Sequence, residues 1–253
     1  MRIPPHTLVR VFWRCLFLQA AWNRRGMQNL GFGYAIDPAL RVLYPEPERR
    51  KEALRRHLAF FNCHPYTAAA IVGGAIHHEE RVASGEEPGG ASQAYKATLQ
   101  GPLAAIGDGF FWTALRPFFG ALAALGTLLV GWPAVVAALV IYNAIHLALR
   151  IRLFRAGYLL GDALLGEVAR LSLPSLAGLL RVGAAVLAGL SAAVVVSRGA
   201  MGPAGASAWI ALLAAVLGYG ALSRGARLLP AAYAVIALGA GAALAVVRLR
   251  GGP

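Results

Sequence analysis

The chain has 253 residues with 24 Lys and Arg against 11 Asp and Glu, a formal net charge of +13, yet 58% of it is hydrophobic and its mean hydropathy is +0.60. That apolar share exceeds the roughly 45 to 50% typical of soluble domains and excludes an ordinary water-soluble globule. In a soluble protein this basic excess would point to nucleic acid; here the arginines punctuate apolar runs, so the positive-inside tendency and anionic lipid headgroups account for them without a nucleic-acid partner.

Charge divides the chain in two. Residues 1–100 hold 13 of the 24 basic and 8 of the 11 acidic side chains and read as an amphipathic, cytoplasm-facing region with a core motif. Residues 101–253 keep only Asp108, Asp162 and Glu167 as acids and read as a membrane-embedded helical region. Charge-free runs cover residues 117–149, 182–197, 199–223 and 228–247. A bilayer span needs about 20 apolar residues. The expectation is an all-α membrane protein with N-terminal amphipathic or cytoplasmic helices, re-entrant or broken helices, and a C-terminal bundle of about three to five transmembrane helices.

In chain order, residues 1–7 are weakly charged and arginines interrupt the stretch that follows, so no signal peptide is read. Residues 9–23 predict an amphipathic helix with Val9, Phe12, Trp13, Leu16 and Ala20 on one face. Trp13 and Trp22 could anchor it in the headgroup layer, and a packed helix of the cytoplasmic face fits equally well. Asn29-Leu30-Gly31-Phe32-Gly33 predicts a break, with a new helix from Asp37-Pro38. A further helix over 47–61 carries the Glu52 and Arg56 pair at the favoured spacing and stops at Asn62-Cys63-His64-Pro65, because a residue before proline is steered away from α geometry. Cys15 and Cys63 make no disulfide framework or metal site and read as small hydrophobes.

Three clusters carry candidate chemistry. Asn62 and His64 sit in a proline-ended bend where both can turn toward one cavity, offering the donors and acceptors that sugar hydroxyls require; the plainer roles are a helix cap and a backbone contact. His77-His78-Glu79-Glu80 invites a metal, but neighbours on a helix point about 100° apart and cannot converge on one ion, so no metal site is expected and one glutamate should line a site while the other faces solvent. Asp108 lies between Gly107 and Gly109, after Pro102 placed in a first helical turn, at the mouth of an apolar run. An ionisable residue there is a functional candidate, and its structural alternative is Arg116, roughly 12 Å away along an unbroken helix and reachable only through a break near Gly107. Beyond it, Tyr142-Asn143-Ala144-Ile145-His146 closes the longest apolar run, with Asn143 read as interhelical glue or a pore residue. Arg150, Arg152 and Arg155 mark a cytoplasmic boundary. Residues 157–170 suggest an interfacial helix. No phosphate loop, cofactor motif or nucleophile-base spacing is present.

Three stretches resemble the IID component of the mannose/fructose/sorbose family of the phosphoenolpyruvate-dependent sugar phosphotransferase system. They are Gln19-Ala20-Ala21-Trp22-Asn23 with Arg25-Gly26-Met27-Gln28-Asn29-Leu30-Gly31-Phe32, then Leu43-Tyr44-Pro45, and then Arg55-Arg56-His57-Leu58-Ala59-Phe60-Phe61-Asn62-Cys63-His64-Pro65. The segment from Gly101 through Arg116-Pro117 completes the resemblance, which covers about residues 10–200. It implies a multi-pass protein of the bacterial inner membrane, not an enzyme, that pairs with a IIC membrane subunit in a hetero-oligomer of IIC-IID pairs. Together these would move a hexose across the membrane toward cytoplasmic IIA and IIB proteins, IIB donating the phosphoryl group. By position in the motifs it makes Asn62, His64, Glu80 and Asp108 candidates for the sugar-facing or IIC-facing cavity, and it argues against reading His64 as a phosphorylated nucleophile. Members vary between His and Gln at the position of His64, which suits hydrogen bonding. Ser197-Arg198-Gly199-Ala200-Met201-Gly202-Pro203 abbreviates a stretch that relatives carry before their last helices. That departure raises the alternative of a regulatory or scaffolding membrane protein that keeps the fold.

Overall fold

The computed structural model describes residues 3–200, and every regular element among them is helical. The chain divides into two compact units, Met1–Phe119 with Ala137–Gly183 and Gly120–Val136 with Ala184–Pro253. The runs at 199–223 and 228–247 and the abbreviated stretch at 197–203 fall at or beyond the edge of the described residues, so the alternative built on that stretch has no structural observation behind it.

In the first unit, helix α1 (Pro5–Cys15) opens on a proline, which suits a first helical turn because its missing N–H has no intrahelical partner to lose. It starts and ends earlier than the predicted 9–23, and it buries a different face. Thr7, Val11 and Cys15, spaced four apart, go inward, while Val9 and Trp13 are 56% and 57% exposed. The periodicity was real, but the helix offers two apolar strips and the core took the narrower one.

The predicted break at Asn29-Leu30-Gly31-Phe32-Gly33 is not there. Helix α2 (Asn29–Leu43) runs through both glycines and through Pro38. A Cβ at Gly31 would collide with the Leu18 carbonyl, and one at Gly33 would press on Leu58, so these glycines serve close packing and not chain reversal. Pro38 has no N–H and so leaves the carbonyl four residues back, that of Tyr34, without its helical donor. Arg14 supplies the missing bond: its Nη1 donates to Tyr34 O at 2.9 Å and to Asp37 Oδ2 at 3.2 Å, with the guanidinium over the Tyr34 ring. Helix α3 (Pro47–His57) follows, ending earlier than predicted.

Helix α4 (Ala68–Ala83) is the centre of this unit, with every residue of 68–76 buried. Its glycines let backbones touch. A Cβ at Gly73 would strike the Phe154 carbonyl, one at Gly157 would strike the Ala70 carbonyl, and one at Gly74 would strike the Tyr95 ring. These residues belong to helices α7 (Pro133–Leu160) and α5 (Ala91–Gly107), so small residues set both crossings.

Helix α5 does not break after Gly107. A π-helical stretch, Asp108–Leu115, carries it without interruption into α6 (Arg116–Val130). Pro102 lies inside α5, eleven residues past Ala91, and not in a first turn. Gly131 (φ +83°) precedes α7, a 3₁₀ turn at Gly161–Ala163 (Gly161 φ +52°) precedes α8 (Leu164–Arg170), and Ser172 (φ +47°) precedes α9 (Leu173–Ala200). The helix expected over 157–170 is therefore split between α7 and α8.

Among the described residues two helical segments, Ala91–Val130 and Pro133–Val195, are long and apolar enough to cross a membrane, against three to five expected. Leu103, Phe111, Leu153 and Phe154 of these segments pack into the core, but many of their other large apolar side chains do not, with Val130 and Leu179 each 69% exposed. Apolar surface of that extent belongs in lipid or against another membrane chain.

Replacing Gly157 with Ala should destabilise the chain by roughly 1 to 3 kcal/mol, the range for overpacking a filled contact. The same change at Gly166, where an added Cβ meets nothing within 4 Å, should leave the thermal unfolding midpoint in detergent nearly unmoved.

Candidate functional site

The loop after α3 is built by a clamp of amide side chains. Met27 adopts φ 55° in a turn that pairs with Asn23 on one side and Phe61 on the other. The Asn23 Oδ1 accepts the backbone N–H groups of Arg25 and Gly26, and its Nδ2 donates to Asn29 Oδ1 at 2.9 Å. Asn29 Nδ2 in turn donates to Leu58 O at 2.7 Å. Gln28 is 2% exposed and pairs with the backbone of Cys63 as a peptide group would, donating to Cys63 O at 2.7 Å and accepting from Cys63 N at 3.1 Å. The Asn23, Gln28 and Asn29 stretch thus fixes the chain on both sides of Phe61.

So held, the loop docks on α5. The Asn62 N–H donates to Gln100 Oε1 at 3.1 Å, Thr67 Oγ1 donates to Leu103 O at 2.9 Å, and Gly107 leaves no room for a Cβ against His64. Gln100, Leu103 and Gly107 share one face at helical spacing. The π-helical stretch begins at the next residue, Asp108. Wide turns of this kind concentrate at functional sites because they re-aim side chains within a continuous helix.

His64 is 2% exposed and stacks on Phe111 at 5.1 Å, with Tyr66 and Trp112 against its edges at 5.1 and 5.7 Å. Burial, and secondarily the nearby Arg150 charge, lowers its pKa to about 4, so the ring is neutral. Because Nδ1 accepts the Tyr66 N–H at 3.2 Å, the proton sits on Nε2, a buried donor with no partner among the described residues. The stack continues from Tyr66 to His146 at 4.3 Å and nearly parallel, then to Tyr142, whose hydroxyl lies 3.4 Å from that of Tyr66. Arg150 lies over Tyr66 and donates to the Cys15 carbonyl. It is turned into the core at 4% exposure and is not a boundary arginine, unlike the exposed Arg152 and Arg155.

Of the four predicted site residues, three meet here. Asn62 and Asp108 are exposed and adjoin, along the chain, Cys63 and the Gly107 that buried His64 packs against, and burial pushes the Cys63 thiol up to about 12, with the Asp108 charge a minor contribution in the same direction. Asp108 and Arg116 form no ion pair among the described residues; Arg116 lies over the Trp112 ring at 5.3 Å. Glu80 is elsewhere, its Oε1 accepting Ile3 N–H at 2.6 Å and Tyr158 OH at 2.8 Å, which ties the N-terminus to α7.

The rest of the His77-His78-Glu79-Glu80 cluster diverges, as adjacent helical positions must. His77 Nδ1 meets Tyr158 O at 3.0 Å and His78 Nδ1 meets Glu87 at 2.8 Å. Glu79 neither lines this site nor faces solvent. Its side chain is fully buried and receives Tyr44 OH (2.7 Å), Ser92 Oγ (2.6 Å), Arg56 Nη2 (3.0 Å) and His57 Nε2 (3.0 Å). Burial alone would raise its pKa, but the hydrogen bonds from His57, Ser92 and Tyr44 outweigh that and hold it at about 2. His57, driven neutral by burial, donates through Nε2, and the Lys96 ammonium binds His57 O at 3.1 Å with its charge over Phe32.

Residue pattern alone missed Tyr66, Phe111, His146 and Arg150. One signal was available, since Tyr142, His146 and Arg150 recur every four residues and must share a face of α7. Asn143, which drew attention instead, bonds within its own helix to Leu139 O and His146.

Long apolar helices around a neutral, aromatic-caged histidine and a carboxylate on a π-helical turn define a helical membrane subunit, with a polar-aromatic locus and no triad or phosphate loop among its described residues. The chain belongs to the PTS system mannose/fructose/sorbose family IID component, whose family model matches residues 2–205. IID components are non-catalytic transport subunits. The chain is 49% identical over 116 residues to the mannose-specific EIID component of Escherichia coli K12, a match covering 45% of this chain and 41% of that relative, less than half its length. It is 34% identical over 172 residues to the fructose permease IID component of Bacillus subtilis 168, covering 66% of this chain and 62% of the relative. The fold matches a chain of the cryo-EM complex of the mannose transporter ManYZ with microcin E492 at TM-score 0.61 and 35% identity, covering 76% of this chain and 70% of that one.

Gln28→Ala should cost about 2 to 4 kcal/mol in thermal or denaturant unfolding, because it strands both backbone groups of Cys63 in the interior. Glu79 gives a pH signature. Its folded pKa of about 2 lies below the ordinary 4.5, so its stabilisation is complete above 4.5 and is lost as pH falls toward 2. Unfolding midpoints should decline across that window, and Glu79→Gln should flatten the decline while lowering stability at neutral pH.

Proposed function

We propose that this chain is the IID subunit of a phosphoenolpyruvate-dependent sugar phosphotransferase transporter. Paired with a IIC membrane subunit, it moves a mannose-type hexose across the bacterial inner membrane, and the IIB partner then phosphorylates the sugar. The placement is multi-pass, with about three to five spans in the complete chain. Family membership supports the partnership, and the local geometry supports a sugar-facing role for Asn62, His64 and Asp108.

The observation that carries the reading is the unpartnered Nε2–H of His64 inside a cage of Phe111, Trp112 and Tyr66. A hexose presents apolar C–H faces ringed by hydroxyls, so its site combines aromatic walls with a few fixed donors and acceptors. Asn62 and Asp108 supply exposed amide and carboxylate groups beside that donor. A neutral His64 fits hydrogen bonding and not proton transfer at physiological pH.

Uptake and phosphorylation of labelled mannose by cells carrying this chain with its IIC and IIAB partners tests the reading. Activity should vanish without this chain, and its persistence would overturn the proposal. Asp108→Asn should lower uptake by roughly tenfold, as expected for a lost charge-assisted hydrogen bond, with the IIC complex still recovered intact. His64→Gln, which keeps a donor, should retain more uptake than His64→Leu.

A further inference from the structure

Helix α1 separates two cavities of opposite character in the first unit. One, of about 390 Å³, is lined by Pro5, Leu8, Val9 and Phe12 of α1 and by Ile151 and Phe154 of α7, with Arg155 at its wall. The other, of about 410 Å³, lies between α1 and α2 and is lined by His6, Thr7, Arg10, Arg14, Asp37 and Arg41.

The second cavity is cationic by construction. Three guanidiniums face one carboxylate, leaving a formal charge of +2 before His6 is counted. Asp37 engages Arg14 through one terminal nitrogen at 3.2 Å and Arg41 through Nε at 2.9 Å, so both side chains are oriented while their other N–H groups stay available. Arg10 and His6 make no hydrogen bond or ion pair among the described residues, and both are exposed. Guanidiniums arranged this way match the tetrahedral oxygens of a phosphate ester, which they grip in pairs.

The helix surface between the two cavities identifies the source of that phosphate. Val9 and Trp13 stand 56% and 57% exposed on the strip of α1 beside Arg10, and Phe17, in the turn just past the helix, is 58% exposed. At 11 residues α1 is roughly 16 Å long, too short to span a bilayer. A short helix with exposed aromatic and aliphatic side chains beside arginines lies along the headgroup layer.

We infer that the cavity between α1 and α2 is a binding site for the phosphate headgroup of an anionic phospholipid, with α1 lying in the membrane interface and Val9, Trp13 and the following Phe17 against the acyl boundary. Arg10 and Arg41 contact the phosphate directly, and Arg14 is held in place by Asp37 and the Tyr34 carbonyl. The site is separate from the His64 and Asp108 locus, so failure of the transport reading would leave it standing.

The full chain in detergent, titrated with phosphatidylglycerol, phosphatidylcholine or glycerol 3-phosphate and read by native mass spectrometry, tests the assignment. Phosphatidylglycerol should be retained in preference to phosphatidylcholine, and Arg10→Gln with Arg41→Gln should weaken that preference by about fivefold per arginine. Arg49→Gln, a change to an exposed arginine of α3, should not weaken it. Arg10→Gln alone removes no hydrogen bond or ion pair among the described residues and keeps the test open should the double variant misfold. Equal retention of the two lipids, or undiminished phosphatidylglycerol retention in Arg10→Gln, would overturn the site. Displacement of the lipid by millimolar glycerol 3-phosphate would reassign it to soluble phosphate esters and overturn the lipid assignment.

Discussion

A carboxylate sealed from solvent sets the geometry of the first unit. Moving a charge like that of Glu79 into a protein interior costs several kcal/mol unless nearly all its lone pairs are occupied. Here four donors occupy them, contributed by Tyr44 beyond the end of α2, Arg56 and His57 on α3, and Ser92 on α5. Because none of these donors can withdraw without stranding the charge, three helices are held in register about α4. The His57 carbonyl then binds Lys96, so α3 and α5 are joined twice, and the loop between α3 and α4 has fixed ends. The amide clamp from Gln28 needs only to set the path of that loop.

This arrangement explains why the sequence motifs look as they do. Arg55-Arg56-His57 reads as a basic helix end, and the charges near a helix C-terminus are favourable on dipole grounds alone. The structure gives Arg56 and His57 a more specific task as donors to one buried acid. Similarly, Gln28-Asn29 resembles a polar turn, yet both side chains act as substitutes for backbone, pairing with Cys63 and Leu58 where no sheet or helix could. Buried amides used this way satisfy an irregular segment that would otherwise leave main-chain groups unpaired.

What could be read from residues alone followed the physics of each signal. Apolar runs are a composition property, so the all-helical, membrane-directed character was legible, as was the existence of α3, although it ends at His57 and not at the predicted residue 61. Asn62, His64 and Asp108 were legible only as separate candidates, because 43 positions separate His64 from its neighbour Gly107 and only the docking of the loop on α5 brings these stretches together. Local rules failed where tertiary contacts overrode them. Gly31 and Pro38 are breakers by propensity, but Leu18 packs where a Cβ would go and Arg14 replaces the hydrogen bond that Pro38 cannot make. Glu79 and Glu80, adjacent and chemically identical, acquire separate fates solely because a helix points them about 100° apart.

The π-helical stretch follows from the same competition between local and tertiary demands. His64 must lie flat on Phe111 while its Cβ rests on Gly107, four residues earlier on the same helix. A regular helix stacks residues four apart on one face at fixed rise, whereas a wider turn adds azimuthal freedom and allows Phe111 to cover the ring while Trp112 meets its edge. The continuous helix then needs no break to accommodate Asp108, and the carboxylate is left exposed beside a rigid aromatic cage. The unbroken backbone through the π turn sets the direction in which the acid leaves the helix, which a break at Gly107 would not have done.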